Sequence, residues 1–177
     1  MFTRNRLLAA GSVLAVVCGA ALAAESPNLG RVATPEEIAS WDLTVSPNGD
    51  GLPPGSGTPK QGEIVYVAKC IACHHEKGAG DPADRLVGGQ GTIGGDQRPI
   101  KTIGSYWPYA TTIFAYIRRA MPFYETKSLN NNELYALTAY LLRLNGIIGE
   151  NDTMNAQTLP KVRMPNRDGF VPFVKGN

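Results

Sequence analysis

The stretch Cys70-Ile71-Ala72-Cys73-His74 decides how this chain is read. Two thiols three residues apart can add across the two vinyl groups of a haem, and the histidine that follows is then held beneath the iron. Cys-x-x-Cys-His is the attachment signature of a c-type haem, here one haem for one motif. A structural zinc site would need four ligands at workable spacing, and only Cys70, Cys73, His74 and His75 are at hand. A thioredoxin-like dithiol would need a preceding strand in a βαβ setting, which the sequence does not offer. Adjacent side chains cannot readily reach opposite faces of one haem, so His75 reads as a surface or edge residue.

Working outward, the spacing predicts a helix from Pro59 to Cys70, with Gly62, Tyr66 and Cys70 at steps of four along one face. A second helix is predicted from Tyr109 to Arg119, where Ile113, Phe114 and Ile117 form an apolar stripe after the Trp107-Pro108 break. A third begins at Asn130, with Glu133 as its capping-box partner, and runs to about Leu144. Leu134, Leu137, Leu141 and Leu144 make it the best amphipathic segment, and Asn145-Gly146 is a stop signal. No alternating strand pattern or internal repeat is present, so the expected class is all-α.

The flanks read differently. Arg4 and Arg6, an apolar run from Leu7 to Ala23 and the Ala21-Leu22-Ala23 triplet follow the plan of a cleaved secretory signal over residues 1–23, with Cys18 leaving in it. The run is short for a retained membrane anchor, so no membrane span is expected after cleavage and the chain is expected to be exported. Residues 24–58 form an arm in which Thr34-Pro35-Glu36-Glu37 starts a short helix, and the breaker-rich Ser46 to Gly57 is turns and extended chain that wraps or links. Residues 59–146 are the haem-bearing domain and 147–177 a polar tail.

Composition narrows the function. The 177 residues, 43% hydrophobic and 18% charged, suit one compact domain rather than a multidomain enzyme. The formal charge of +2 comes from 17 basic and 15 acidic residues, too weak for a nucleic-acid footprint, and it vanishes with Arg4 and Arg6. The Gly89-Gln90-Gly91-Thr92-Ile93-Gly94 run fits a dinucleotide pattern but lacks the strand, helix and acidic residue of such a site; it reads as a glycine-rich loop near the haem.

A distal iron ligand should lie farther along the chain, and a methionine thioether is the candidate. Met1 leaves with the signal. Met121 and Met164 both precede proline, but Met121 sits between the second and third helices, on a loop that helix packing would carry over the haem face. Met154 and Met164 are read as tail contacts. Arg98, Lys101, Arg118 and Arg119 are read as ordinary solvated charge, with haem propionates or an acidic partner as the alternative.

Together, Gly62-x-x-x-Tyr66-x-x-x-Cys70-x-x-Cys73-His74, Met121-Pro122 and the Leu134 to Leu142 helix resemble a class I cytochrome c. The resemblance implies a small helical fold around one covalent haem c, first and last helices crossing at Gly62 with Tyr66 and Tyr135 packed there. It also implies that the carbonyl of Pro82 orients His74; Trp107, with Tyr106, is read separately as haem environment at the propionate edge, with simple core packing as the alternative. A narrower resemblance rests on Trp41-Asp42, Gly51 to Gly57, Arg85 to Thr92, Lys101 to Thr112, Arg118 to Pro122 and Leu159 to Phe170. These stretches are similar to the cytochrome subunit of sulfur or sulfite dehydrogenase in the thiosulfate-oxidising Sox system. That family implies a single-electron carrier, not catalytic alone, taking electrons from a molybdenum-containing subunit and passing them to an acceptor cytochrome c. The alternatives are a general electron shuttle, the cytochrome subunit of another periplasmic dehydrogenase, and, from a different class, a gas-binding haem sensor or haem enzyme.

Overall fold

The computed structural model describes residues 29–171, so the signal reading and Cys18 lie outside the described residues. The chain divides into two compact units, one ending at Ile38 and one beginning at Ala39. In the first, Thr34 and Glu37 form the expected capping box, with Thr34 N–H donating to Glu37 Oε2 at 2.9 Å and Glu37 N–H to Thr34 Oγ1 at 3.3 Å. This box starts α1, Pro35–Trp41, and Glu37 is also paired with Arg31.

The second unit holds the three helices predicted around the haem motif, α2 (Pro59–Lys69), α4 (Ala110–Ala120) and α5 (Asn131–Leu144), and a single turn that was not predicted, α3 (Ile71–His74). The Asn130 box is present, with Glu133 N–H donating to Asn130 Oδ1 at 3.0 Å and Asn130 N–H to Glu133 Oε2 at 2.9 Å. A box that the sequence reading passed over starts α2, where Thr58 and Gln61 cap each other reciprocally. Its signal, Thr58-Pro59-Lys60-Gln61, fits the pattern with glutamine in place of glutamate.

The crossing of α2 on α5 is set by glycine. A Cβ on Gly62 would lie 1.9 Å from the carbonyl oxygen of Ala136 and 2.7 Å from Tyr140 Cβ, so only a bare backbone lets the axes come this close. One turn on, Tyr66 packs against Tyr140 with ring centroids 5.3 Å apart. Tyr140 takes the place expected of Tyr135 because it follows Ala136 by one helical turn and so shares its face. Tyr135 turns toward α4 instead, 4.6 Å from Phe114, and its hydroxyl donates to the Pro53 carbonyl at 2.8 Å.

The amphipathic stripe expected of α5 is wider than one face, since every residue from Leu134 to Leu142 is buried. The flanking segments supply the extra cover. Asn131 Nδ2 donates to Pro54 O at 3.1 Å, and Ser56 N–H donates to Asn132 Oδ1 at 2.9 Å, strapping the arm to the first turn of α5. A two-residue antiparallel ladder then pairs β1 (Ser56–Gly57) with β2 (Met154–Asn155) in the register Ser56↔Asn155 and Gly57↔Met154, where no strand is expected from the sequence. Two residues are too few for an alternation to be read in sequence. Beyond the ladder, Leu159 and Met164 are fully buried, so the stretch expected as a polar tail closes the core up to that point.

Two predictions follow from this crossing. Gly62→Ala should cost about 2 kcal/mol or more by overpacking, seen as a lower urea midpoint at unchanged slope. Tyr66 is 1% exposed, and burial pushes its hydroxyl up to about 12 from the ordinary 10. Its contribution to stability is therefore complete below pH 10 and lost as pH rises through about 12. Tyr66→Phe should flatten the alkaline fall of stability across that window while costing about 1 kcal/mol at neutral pH, where the hydroxyl bond to the His75 carbonyl is lost.

Candidate haem site

The end of α2 delivers the motif. Cys70 caps that helix through its N–H to Tyr66 O, then begins the single turn of α3, whose backbone bonds run from Cys73 and His74 N–H to Cys70 O at 3.1 and 3.0 Å. Cys70 is half-buried and Cys73 exposed; both are free thiols. Desolvation pushes the Cys70 thiol up to about 11, so it keeps its proton at neutral pH. Among the described residues no cluster of three or more His, Cys, Asp or Glu could hold a metal ion, which leaves the zinc alternative without its ligands.

The histidine is oriented by main chain. His74 Nδ1 lies 2.8 Å from the carbonyl oxygen of Asp84. A carbonyl can only accept, so this nitrogen carries the proton and Nε2 keeps its lone pair free for a metal. The sequence reading gave this role to the carbonyl of Pro82, and the structure corrects it by two residues. Gly80 N–H bonds to His74 O at 2.9 Å and Ala83 N–H to Cys73 O at 2.9 Å. These bonds fold residues 80–83 into a turn against the motif, so the first carbonyl that can face the imidazole beyond it is that of Asp84. His75 is exposed, as expected, with its backbone at φ 59° and its carbonyl taking the Tyr66 hydroxyl at 2.9 Å.

Met121 closes α4, its N–H bonded to Ile117 O at 3.0 Å and its backbone already extended. Its side chain is half-buried against the core. Met154 and Met164, by contrast, are 4% and 1% exposed and committed to core packing rather than to the tail contacts expected of them. Trp107 is half-buried, 5.5 Å edge-on from Tyr116. Of the cations considered for propionates, Lys101 lies over the Tyr106 ring at 5.0 Å and Arg119 Nε donates to Ala115 O at 3.2 Å.

The residues present fit a covalently attached haem: two free thiols one turn apart, an imidazole whose Nδ1 is held by a backbone carbonyl, and a half-buried methionine thioether at the end of α4. Residues 57–141 match the family model described as cytochrome C oxidase, cbb3-type, subunit III. No curated protein matches the chain. Among solved structures, the chain is similar to one in the crystal structure of the sulfane dehydrogenase SoxCD from Paracoccus pantotrophus, with 42% sequence identity and a TM-score of 0.77. The match covers 83% of this chain and 72% of that one. Fold, motif and this degree of identity agree: the chain belongs to the class I cytochromes c, which carry covalently bound haem c, and within them it resembles the Sox-type cytochrome.

Proposed function

We propose that the chain is an exported, periplasmic mono-haem cytochrome that serves as the electron-carrying subunit of a sulfur-oxidising dehydrogenase. The observation that carries this reading is the 42% identity to a chain of SoxCD over most of both lengths. The donor is then a molybdenum-containing sulfur or sulfite dehydrogenase subunit and the acceptor a downstream cytochrome c. Residues 1–23 act as the cleaved export signal, and among the described residues no helix is long and apolar enough to cross a membrane.

In this reading Cys70 and Cys73 would form the two thioether links, and His74 and Met121 would ligate the iron. When bound, the haem supplies a one-electron Fe(III)/Fe(II) couple. The protein's part is to hold and tune it. The Asp84 carbonyl fixes the His74 tautomer and raises the basicity of the ligating nitrogen. Met121, carried at the end of α4 and half-buried against the core, would offer its thioether as a second protein ligand; an iron so held would leave no ready position for exogenous ligands, which favours electron transfer over gas binding or catalysis. Trp107, braced by Tyr116, contributes apolar cover.

Two experiments test the reading. Met121→Ala should abolish the methionine-to-ferric-iron charge-transfer absorption and open the reduced protein to rapid carbon monoxide binding, whereas Met164→Ala should lower stability and leave that absorption in place. Purification from the native periplasm should bring down a molybdenum-containing subunit whose sulfur substrate reduces the haem; isolation alone, with no such reduction, would leave a general shuttle as the better description.

A further inference from the structure

We infer that Asn145 is a positioning residue for the proximal histidine, acting through a clamp on the loop that follows the haem motif. This rests on the proposal that His74 ligates the iron. In sequence Asn145 is only the stop signal of α5, but in the structure it is 7% exposed and every polar group of its side chain is used. Its Oδ1 accepts from Gly88 N–H at 3.0 Å, and its Nδ2 donates to Leu86 O at 3.2 Å and to Leu141 O at 2.9 Å. Its own carbonyl accepts from Gln90 Nε2 at 2.8 Å. A helix cap needs one such bond; three of these four reach across to residues 86–90.

The far side of the loop is clamped as well. Thr102 Oγ1 donates to the Gly88 carbonyl at 2.5 Å, and the buried Thr102 and Ser105 hydroxyls lie 3.2 Å apart. Gly88 is thus held by its N–H from Asn145 and by its carbonyl from Thr102. A Cβ on Gly104 would fall 2.3 Å from Asn145 Oδ1, so glycine is required there for the amide to seat. Leu86 is tied at both ends too, its N–H to Gly78 O at 2.9 Å and its carbonyl to Asn145.

Asp84, whose carbonyl meets His74, lies two residues before Leu86. Its main chain is held on one side by the Ala83 bond to Cys73 and on the other by the Leu86 bond to Gly78 together with the Leu86 and Gly88 bonds to Asn145. Without the Asn145 bonds Leu86 is held through its N–H alone, and the Asp84 carbonyl gains freedom to shift relative to the imidazole. The structural consequence is a weaker Nδ1–H···O bond and a less basic ligand, which stabilises ferric iron less.

The test compares the haem-loaded wild-type protein with Asn145→Ala, Gln90→Ala and Leu159→Ala. Proton NMR of the reduced form follows exchange of the His74 Nδ1 proton, and redox titration gives the midpoint potential. Asn145→Ala should speed that exchange tenfold or more and raise the midpoint. Gln90→Ala, which opens the clamp from the surface with no core change, should move both readouts less and in the same direction. Leu159→Ala, a core truncation outside the clamp, should lower Tm and leave both where they were. Wild-type exchange and midpoint in Asn145→Ala, or in Gln90→Ala should the first variant fail to fold, would reduce Asn145 to a helix cap and overturn the inference. A wild-type His74 ring proton without the displacement that a ligated haem imposes would instead sink the ligand assignment itself.

Discussion

The close contact of Gly62 with the Ala136 carbonyl is the constraint on which the rest of the structure depends. It fixes where α2 crosses α5, and α2 ends in the motif, so the position of Cys70 relative to the core follows from that crossing. The same face continues into Tyr66, whose ring packs on Tyr140 and whose hydroxyl holds the His75 carbonyl. A single helix face thereby links the core, Cys70 at the start of the motif and the backbone just beyond His74.

Around that crossing the molecule covers α5 from all sides. The arm contributes hydrogen bonds to the first turn of the helix, the short ladder joins arm to closing segment, and Met154, Leu159 and Met164 are buried in the same core. Full burial of an α-helix leaves its backbone satisfied internally, so the cost falls on side chains alone, and α5 is apolar or small at nearly every covered position. Each large apolar side chain buried there contributes about 1.5–3 kcal/mol, which makes the flanks part of the fold rather than appendages.

The polar side of the design lies at the ends of the helices. Among the described residues no buried side-chain nitrogen or oxygen lacks a hydrogen-bond partner. The Thr102, Ser105 and Asn145 groups achieve this by bonding to loop backbone, which is where a long loop needs help: residues 79–109 contain no helix or strand and must be held by side chains. Asn145, at the end of α5, is one of the side chains that tie down the loop whose Asp84 carbonyl meets the imidazole.

What the sequence determined by itself was local and chemical. Thiol spacing, the following histidine, the 3.6-residue apolar periods and the capping boxes are each written within a few residues, so helices and attachment motif were legible without coordinates. Partner choice between distant segments was not. That Tyr140 and not Tyr135 meets Tyr66, that Asp84 and not Pro82 faces His74, that Met164 is core, and that Asn145 clamps the loop all depend on how turns bring chain together over tens of residues. Hydrogen-bond direction in an irregular loop has no period to read, and only tertiary packing decides it.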